Sequence, residues 1–261
     1  MRRALLLCCA VALLAVPAAA ADPPQSGVTH VHVARGTSPV DWGEQLFGAN
    51  CVTCHGPNGG GITSPVHGAG DEEGLGPSLR GVGARSADFY LRTGYMPLDD
   101  VHKEPHRSHV LFSKGELAAL VAYVASLGPG PRIPQPHPGR GNLADGQQSF
   151  TEHCAGCHQI DAQGGYVTNA VAPPLDQASP VEIAEAVRTG PYLMPRFSGK
   201  QIDDAELDSI IRYVLYAKHP DDRGGWSLGH VGPVPEGLVA WFVGIVLLIA
   251  TCAVIGKRIE S

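Results

Sequence analysis

The chain has 261 residues, 44% of them hydrophobic and 17% charged, with a formal net charge of −6. That length leaves room for one or two small domains besides the apolar ends, and the acidic balance argues against a nucleic-acid binder while suiting basic partner surfaces. Of seven cysteines, two lie near the N-terminus and one in an apolar run near the C-terminus; the other four form two matching pairs, so no pair remains for a structural disulfide.

Residues 1–21 read as a targeting segment. Met1-Arg2-Arg3 is a basic start, residues 4–16 (ALLLCCAVALLAV) an apolar run, and residues 17–22 (PAAAAD) a small-residue cleavage neighbourhood. The pattern predicts a secretory signal cut near Ala20 or Ala21; a retained N-terminal anchor is the alternative. Its loss takes Arg2 and Arg3 away and leaves a more acidic chain. Residues 22–40 read as an extended N-terminal segment, with His30 and His32 as solvated surface.

Residues 41–128 are expected to form a first helical domain. A short helix, with Asp41 as a plausible N-cap, leads into Cys51-Val52-Thr53-Cys54-His55. Cys-x-x-Cys-His is the attachment signature of c-type haem: the two thiols add across the porphyrin vinyl groups, and the adjacent imidazole lies under the iron. Gly76-Pro77-Ser78-Leu79 follows, then residues 87–94 ending Arg-Thr-Gly, then Tyr95-Met96-Pro97. His102, His106 and His109 lie in an inserted loop that Pro105 interrupts, which favours solvated surface over a metal site. An amphipathic helix at 114–127 (KGELAALVAYVASL) closes the domain.

Residues 129–142 (PGPRIPQPHPGRGN) are rich in Pro and Gly and predict a semi-rigid extended spacer. Residues 143–219 then repeat the first domain. At an offset of 103 residues, Gly146 and Phe150 precede Cys154 as Gly43 and Phe47 precede Cys51, in the same four-residue steps. Those steps put glycine, aromatic and cysteine on one helix face. Asp145 or Asn142 is the expected cap. Cys154-Ala155-Gly156-Cys157-His158 is the second attachment motif, so two haems are expected. Ala172-Pro173-Pro174-Leu175 answers the first Pro-x-Leu, residues 182–190 again end Arg-Thr-Gly, and Tyr192-Leu193-Met194-Pro195 follows. A helix at 203–218 (DDAELDSIIRYVLYAK) closes this copy, with Tyr213 in the place of Tyr123. The connecting stretches show no alternation that reads as strands.

After a juxtamembrane segment at 220–236, residues 237–256 (GLVAWFVGIVLLIATCAVIG) run without a charge, the length that crosses a bilayer as a helix. Lys257 and Arg258 follow, so the positive-inside rule makes the tail 257–261 cytoplasmic and the haem domains extracytoplasmic.

An electron-carrying haem needs its iron closed on both faces, by methionine or histidine. Besides Met1 the chain has only Met96 and Met194, one per copy, 41 residues after His55 and 36 after His158. They are the expected distal ligands. The first copy also offers His67, His102, His106 and His109 as rivals, and the second His219. Pro77 and Pro173 are expected to orient the proximal imidazoles, because a carbonyl on a rigid loop is a fixed acceptor for the other ring nitrogen.

Each copy resembles a class I cytochrome c domain on these residues: Gly-x-x-x-aromatic-x-x-x-Cys-x-x-Cys-His, Pro-x-Leu, Arg-Thr-Gly, Met-Pro and a closing helix with an aromatic. The tandem arrangement, residues 225–236 (GWSLGHVGPVPE) and the helix after them resemble the dihaem cytochrome c subunits of the actinobacterial menaquinol–cytochrome c reductase, the cytochrome bcc complex. That resemblance implies an all-α fold of two tandem cytochrome c domains plus one C-terminal transmembrane helix. It implies a translocase subunit with no catalytic residues of its own. Its partners would be a cytochrome b subunit, a Rieske iron–sulfur subunit that supplies electrons, and a haem–copper oxidase that takes them.

Other readings account for less. A thiol oxidoreductase leaves the histidine after each pair unexplained, and a four-thiolate zinc site leaves the duplicated methionines unexplained. A dihaem peroxidase needs an open iron, against one methionine per copy. A free membrane-tethered dihaem donor, or a subunit of another dehydrogenase or oxidase, differs from the reductase reading only in its partners.

Overall fold

A pair of helices crossing at a glycine frames each half of the chain. In this computed structural model, which describes residues 27–62, 76–98, 105–220 and 233–260, α1 (Pro39–Asn50) packs on α4 (Lys114–Ser126) and α5 (Leu143–His153) packs on α8 (Asp204–Lys218). The leader, His67, His102 and the juxtamembrane stretch at 221–232 lie outside the described residues. Four residues after each glycine an aromatic ring meets the tyrosine of the closing helix. Phe47 and Tyr123 have centroids 5.1 Å apart, Phe150 and Tyr213 5.3 Å. Around each pair grows a separate apolar core, with Leu46 and Leu120 fully buried in the first and Ile202, Ile210 and Val214 in the second. The mostly helical, two-domain expectation describes the chain.

Local chemistry sets the helix ends. α1 begins earlier than the sequence suggests: Ser38 rather than Asp41 is its cap, the serine hydroxyl accepting from the Asp41 N–H at 3.1 Å. Pro39 sits in the first turn, where its missing N–H costs nothing, so the helix extends back to it. Asn142 caps α5, its side-chain oxygen accepting from Ala144 and Asp145. Reciprocal capping boxes start α4, between Ser113 and Glu116, and α7 (Pro180–Thr189), between Ser179 and Glu182. Ser113→Ala is expected to destabilise the first domain by about 1 kcal/mol, read as a melting temperature lower by a few degrees; an unchanged melting curve would mean the box contributes nothing.

Three expectations are corrected or refined. A short antiparallel hairpin, β1 (Gly165–Val167) with β2 (Ala170–Ala172), stands in the second domain where no strand was expected. Its strands are too short to show alternation, and Asn169, at φ 62°, supplies the left-handed turn residue. His30 is exposed, as expected, but is also an anchor: its Nδ1 lies 3.0 and 3.2 Å from the two carboxylate oxygens of Glu116, which is buried. Burial works to raise the Glu116 pKa, but hydrogen bonds from Ser113 and His30 outweigh it and hold the carboxyl below its ordinary value. The linker is a strap rather than a spacer. Pro131 O accepts from Arg85 N at 3.1 Å, and beyond the 3₁₀ turn Pro138–Arg140 the Arg212 guanidinium donates to Gly141 O at 2.6 Å. Its Pro and Gly content does set its extended backbone; the anchors come from residues up to 71 positions away.

α3 (Gly83–Arg92) packs on α4 within the first half and on α7 across the seam between halves. α9 (Pro233–Glu260) ends the chain. Within it, Gly237–Arg258 is 22 residues with mean hydropathy 2.8 and no residue buried in the protein, long and apolar enough to cross a membrane at 1.5 Å per residue.

Candidate functional site

Each attachment motif is a single helical turn set on the end of a longer helix. Cys51 caps α1 by donating its N–H to Phe47 O at 2.8 Å, and Cys154 caps α5 by donating to Phe150 O at 2.8 Å. α2 (Val52–His55) and α6 (Ala155–His158) follow directly, closed by His55 N to Cys51 O and His158 N to Cys154 O, both 2.9 Å. Cysteines at the first and fourth positions and histidine at the fifth therefore share one face. The buried aromatic of each core, Phe47 or Phe150, fixes the helix that delivers them.

The proline carbonyls meet the imidazoles in both copies. His55 Nδ1 lies 2.8 Å from Pro77 O, and His158 Nδ1 lies 3.0 Å from Pro173 O. A carbonyl only accepts, so Nδ1 carries the proton and Nε2 presents the lone pair, the tautomer a metal ligand requires. Burial lowers the His158 pKa, with the Pro173 carbonyl opposing it, so the ring stays neutral. Gly76 brings its loop close: a Cβ there would stand 2.3 Å from Cys54 O and 3.0 Å from His55 Nδ1. Ala172, buried, occupies the corresponding place in the second copy.

The first thiol of each pair is not poised as a nucleophile. Burial, then the neighbouring cysteine, pushes Cys51 up to about 12 and Cys154 up to about 11, opposite in direction to a redox-active thiolate. Among the described residues no three His, Cys, Asp or Glu side chains gather to hold an ion, so the two pairs do not combine into a four-thiolate zinc site.

In the second copy a cleft of roughly 1290 Å³, counted to its open mouth, brings Cys154, Cys157, His158 and Met194 to one wall set. Phe150, Ile183, Val187, Ile210 and Val214 supply apolar surface. Two thiols, a neutral imidazole of fixed tautomer and a thioether around an apolar cleft fit a covalently attached haem. Met194, half-buried, packs against the second core and donates its N–H to Pro191 O at 2.9 Å. In the first copy His55 and Pro77 are brought together, and Met96, half-buried after α3, is held separately by its N–H to Tyr90 O at 3.0 Å. His106 and His109 are exposed.

The second cleft is not closed by its own domain. Phe89, Thr93, Tyr95, Pro105 and Arg107 of the first half also line it, and Arg107 reaches the buried Glu182 at 3.3 Å. Sequence reasoning missed these residues. Tyr95 was legible only as the neighbour of Met96, and no spacing rule places it on the wall of the other cleft.

Comparisons with known proteins agree with this duplication. A family model described as "Cytochrome c" matches residues 40–128, and one described as "Cytochrome C oxidase, cbb3-type, subunit III" matches residues 141–214. The chain is 36% identical over 237 residues to the cytochrome bc1 complex cytochrome c subunit of Corynebacterium diphtheriae, covering 84% of this chain and 81% of that protein. It is 36% identical over 225 residues to the subunit of the same description from Mycobacterium tuberculosis, covering 83% and 77%. The Cbb3-type cytochrome c oxidase subunit CcoP of an Azospirillum species is 30% identical over 191 residues, covering 66% and 60%.

Proposed function

The chain belongs to the family of cytochrome c subunits of the cytochrome bc1 complex, and from that premise we propose that it conducts single electrons from a Rieske iron–sulfur subunit through two His/Met haems to a haem–copper oxidase. It is an electron-transfer cytochrome with two covalently bound haem c groups. A bound haem supplies a one-electron ferric/ferrous couple; the protein supplies attachment, orientation and potential.

Cys51 and Cys54 hold the first haem as thioethers, and Cys154 and Cys157 the second. His55 and His158 would ligate the irons through Nε2, each oriented by the proline carbonyl at Pro77 or Pro173. Met96 and Met194 would supply the second ligand to each iron and so exclude small ligands. The apolar lining of the cleft would keep water from a bound haem, which with a thioether ligand would favour its reduced state. The observation that carries the reading is the shared histidine–proline geometry of both copies, with Met194 on the same cleft as Cys154, Cys157 and His158.

Gly237–Arg258 anchors the chain, with Lys257 and Arg258 on the cytoplasmic side and the haem domains on the other face beside the cytochrome b subunit. The whole complex would act as a translocase. A second reading, a subunit of another oxidase, is favoured by the match of residues 141–214 to an oxidase-subunit family.

A mild-detergent pull-down through this chain from its native membrane separates the two. Covalent haem recovered with b-type haem, a Rieske protein and a haem–copper oxidase supports the reductase. Covalent haem with an oxidase but neither of the other two supports the second reading. For the ligands, Met96→His and Met194→His should each lower one haem's midpoint potential by on the order of 0.1 V, within the ~0.8 V that axial ligation spans. Redox titrations of both variants that superimpose on the parent would reject the methionine assignment.

A further inference from the structure

Tyr90 stands where the halves meet, and it reaches the loop of each methionine. Its carbonyl accepts from the Met96 N–H at 3.0 Å. Its hydroxyl meets the backbone of Tyr192, two residues before Met194 in the other half. Tyr192 has φ 52°, a left-handed conformation that a bulky side chain seldom adopts without support from its surroundings. Phe89 and Tyr95 complete the group: ring centroids lie 5.4 Å apart for Phe89 and Tyr90, 5.7 Å for Phe89 and Tyr95, and 6.1 Å for Tyr90 and Tyr95. Phe89 and Tyr95 also line the second cleft, and Tyr95 is bonded in sequence to Met96.

We propose that Tyr90, backed by Phe89 and Tyr95, is a positioning unit that ties the two methionine loops together across the seam and fills the path an electron takes from one half to the other. The proposal rests on Met96 and Met194 closing the irons. Tunnelling falls steeply with separation and passes better through packed atoms than through a gap, so a rigid aromatic cluster both sets the spacing and carries the coupling. The transfer is of one electron, oxidising iron(II) in one half and reducing iron(III) in the other, with no bond made or broken and no proton moved. Edge-to-face and tilted rings resist sliding, which keeps that spacing constant while partners dock and leave. Neither role makes these side chains ligands; they act through the loops they hold.

The test uses the full-length, haem-loaded chain in detergent with Tyr90→Phe, Tyr95→Leu and Met194→His. Tyr90→Phe removes only the hydroxyl. It should lower the second haem's potential and weaken its share of the red-edge sulfur-to-iron absorption band, at unchanged haem content. Tyr95→Leu should slow electron equilibration between the haems after flash photoreduction by up to roughly 100-fold, the loss that about an ångström of misplacement can cause. Parent-like potential and band in Tyr90→Phe, or parent-like equilibration in Tyr95→Leu, would overturn the corresponding half of the proposal. Met194→His should abolish the second haem's share of the band. If the band survives intact, the ligand assignment fails and the proposal with it; if it is lost while Tyr90→Phe and Tyr95→Leu behave as parent, only the positioning unit is rejected.

Discussion

Gly146→Ala should destabilise the second domain by about 3 kcal/mol, the upper end of what overpacking costs, and lower its haem content. A Cβ at Gly146 would stand 1.9 Å from Ser209 O and 2.5 Å from Ser209 C. These atoms belong to the backbone of α8, so no rotamer change relieves the clash and the two helices must separate. Separation pulls Phe150 off Tyr213 and moves Cys154, at the end of α5, away from the cleft. The first domain repeats the arrangement, with a Cβ at Gly43 2.0 Å from Ala119 O and 2.7 Å from Tyr123 Cβ, so Gly43→Ala should behave alike. Gly48 on the same α1 is exposed with nothing within 4 Å of a Cβ. Gly48→Ala should be neutral or stabilising by up to about 1 kcal/mol. Thermal denaturation followed by circular dichroism, with haem stain on the same samples, reads all three. Equal melting curves for Gly43→Ala and Gly48→Ala would show that the crossing tolerates a methyl group.

Raising the pH from about 4.5 to about 8 should weaken the seam between the halves, and Glu185→Gln should remove most of that effect. Glu185 on α7 is fully buried. Burial, then the facing Asp88, pushes its carboxyl up to about 8, with Arg92 opposing and Glu182 adding to the rise. Arg85 faces it as well, but Arg92 is committed to Asp88 through bonds of 2.9 and 2.6 Å, and Arg107 to Glu182. As a carboxylate Glu185 has no hydrogen-bond partner for either oxygen; with a proton it has a donor to offer Asp88. An acid whose folded pKa is raised holds its proton in the native state after the unfolded chain has lost it. Stability therefore falls as pH rises from the ordinary glutamate value of 4.5 to about 8, and is flat above that. The loss amounts to a few kcal/mol, since each pKa unit is worth about 1.4 kcal/mol. Glutamine is neutral throughout, so the variant should melt roughly 5–10 °C above the parent at pH 9 and converge on it near pH 5. Parallel pH profiles for the two proteins would show that another group titrates at the seam.

Both effects turn on contacts that differ in how far they were written into the amino-acid order. Gly43, Phe47 and Cys51, and again Gly146, Phe150 and Cys154, were legible because four-residue spacing and a 103-residue repeat are local signals. Glu185 was not. In sequence it is one acidic residue in the stretch that ends Arg-Thr-Gly, indistinguishable from a solvated one, and only the packing of α7 on α3 buries it facing Asp88.

The sequence by itself determined what is local and covalent: the two attachment motifs, the duplicated helical frame, the Pro-x-Leu carbonyls within reach of each histidine, and the apolar helix at the end. Within each attachment motif the spacing of a few residues is imposed by helix geometry, and the Pro-x-Leu carbonyls lie only 22 and 15 positions from their histidines. Tertiary structure decided how the two copies face each other: Tyr90 against Tyr192, Arg107 against Glu182, Glu185 against Asp88, and the first half closing the cleft of the second. Each of those contacts joins residues at least 75 positions apart. Such pairs have no period and no motif, and they exist only because burying the seam between the halves brings them together.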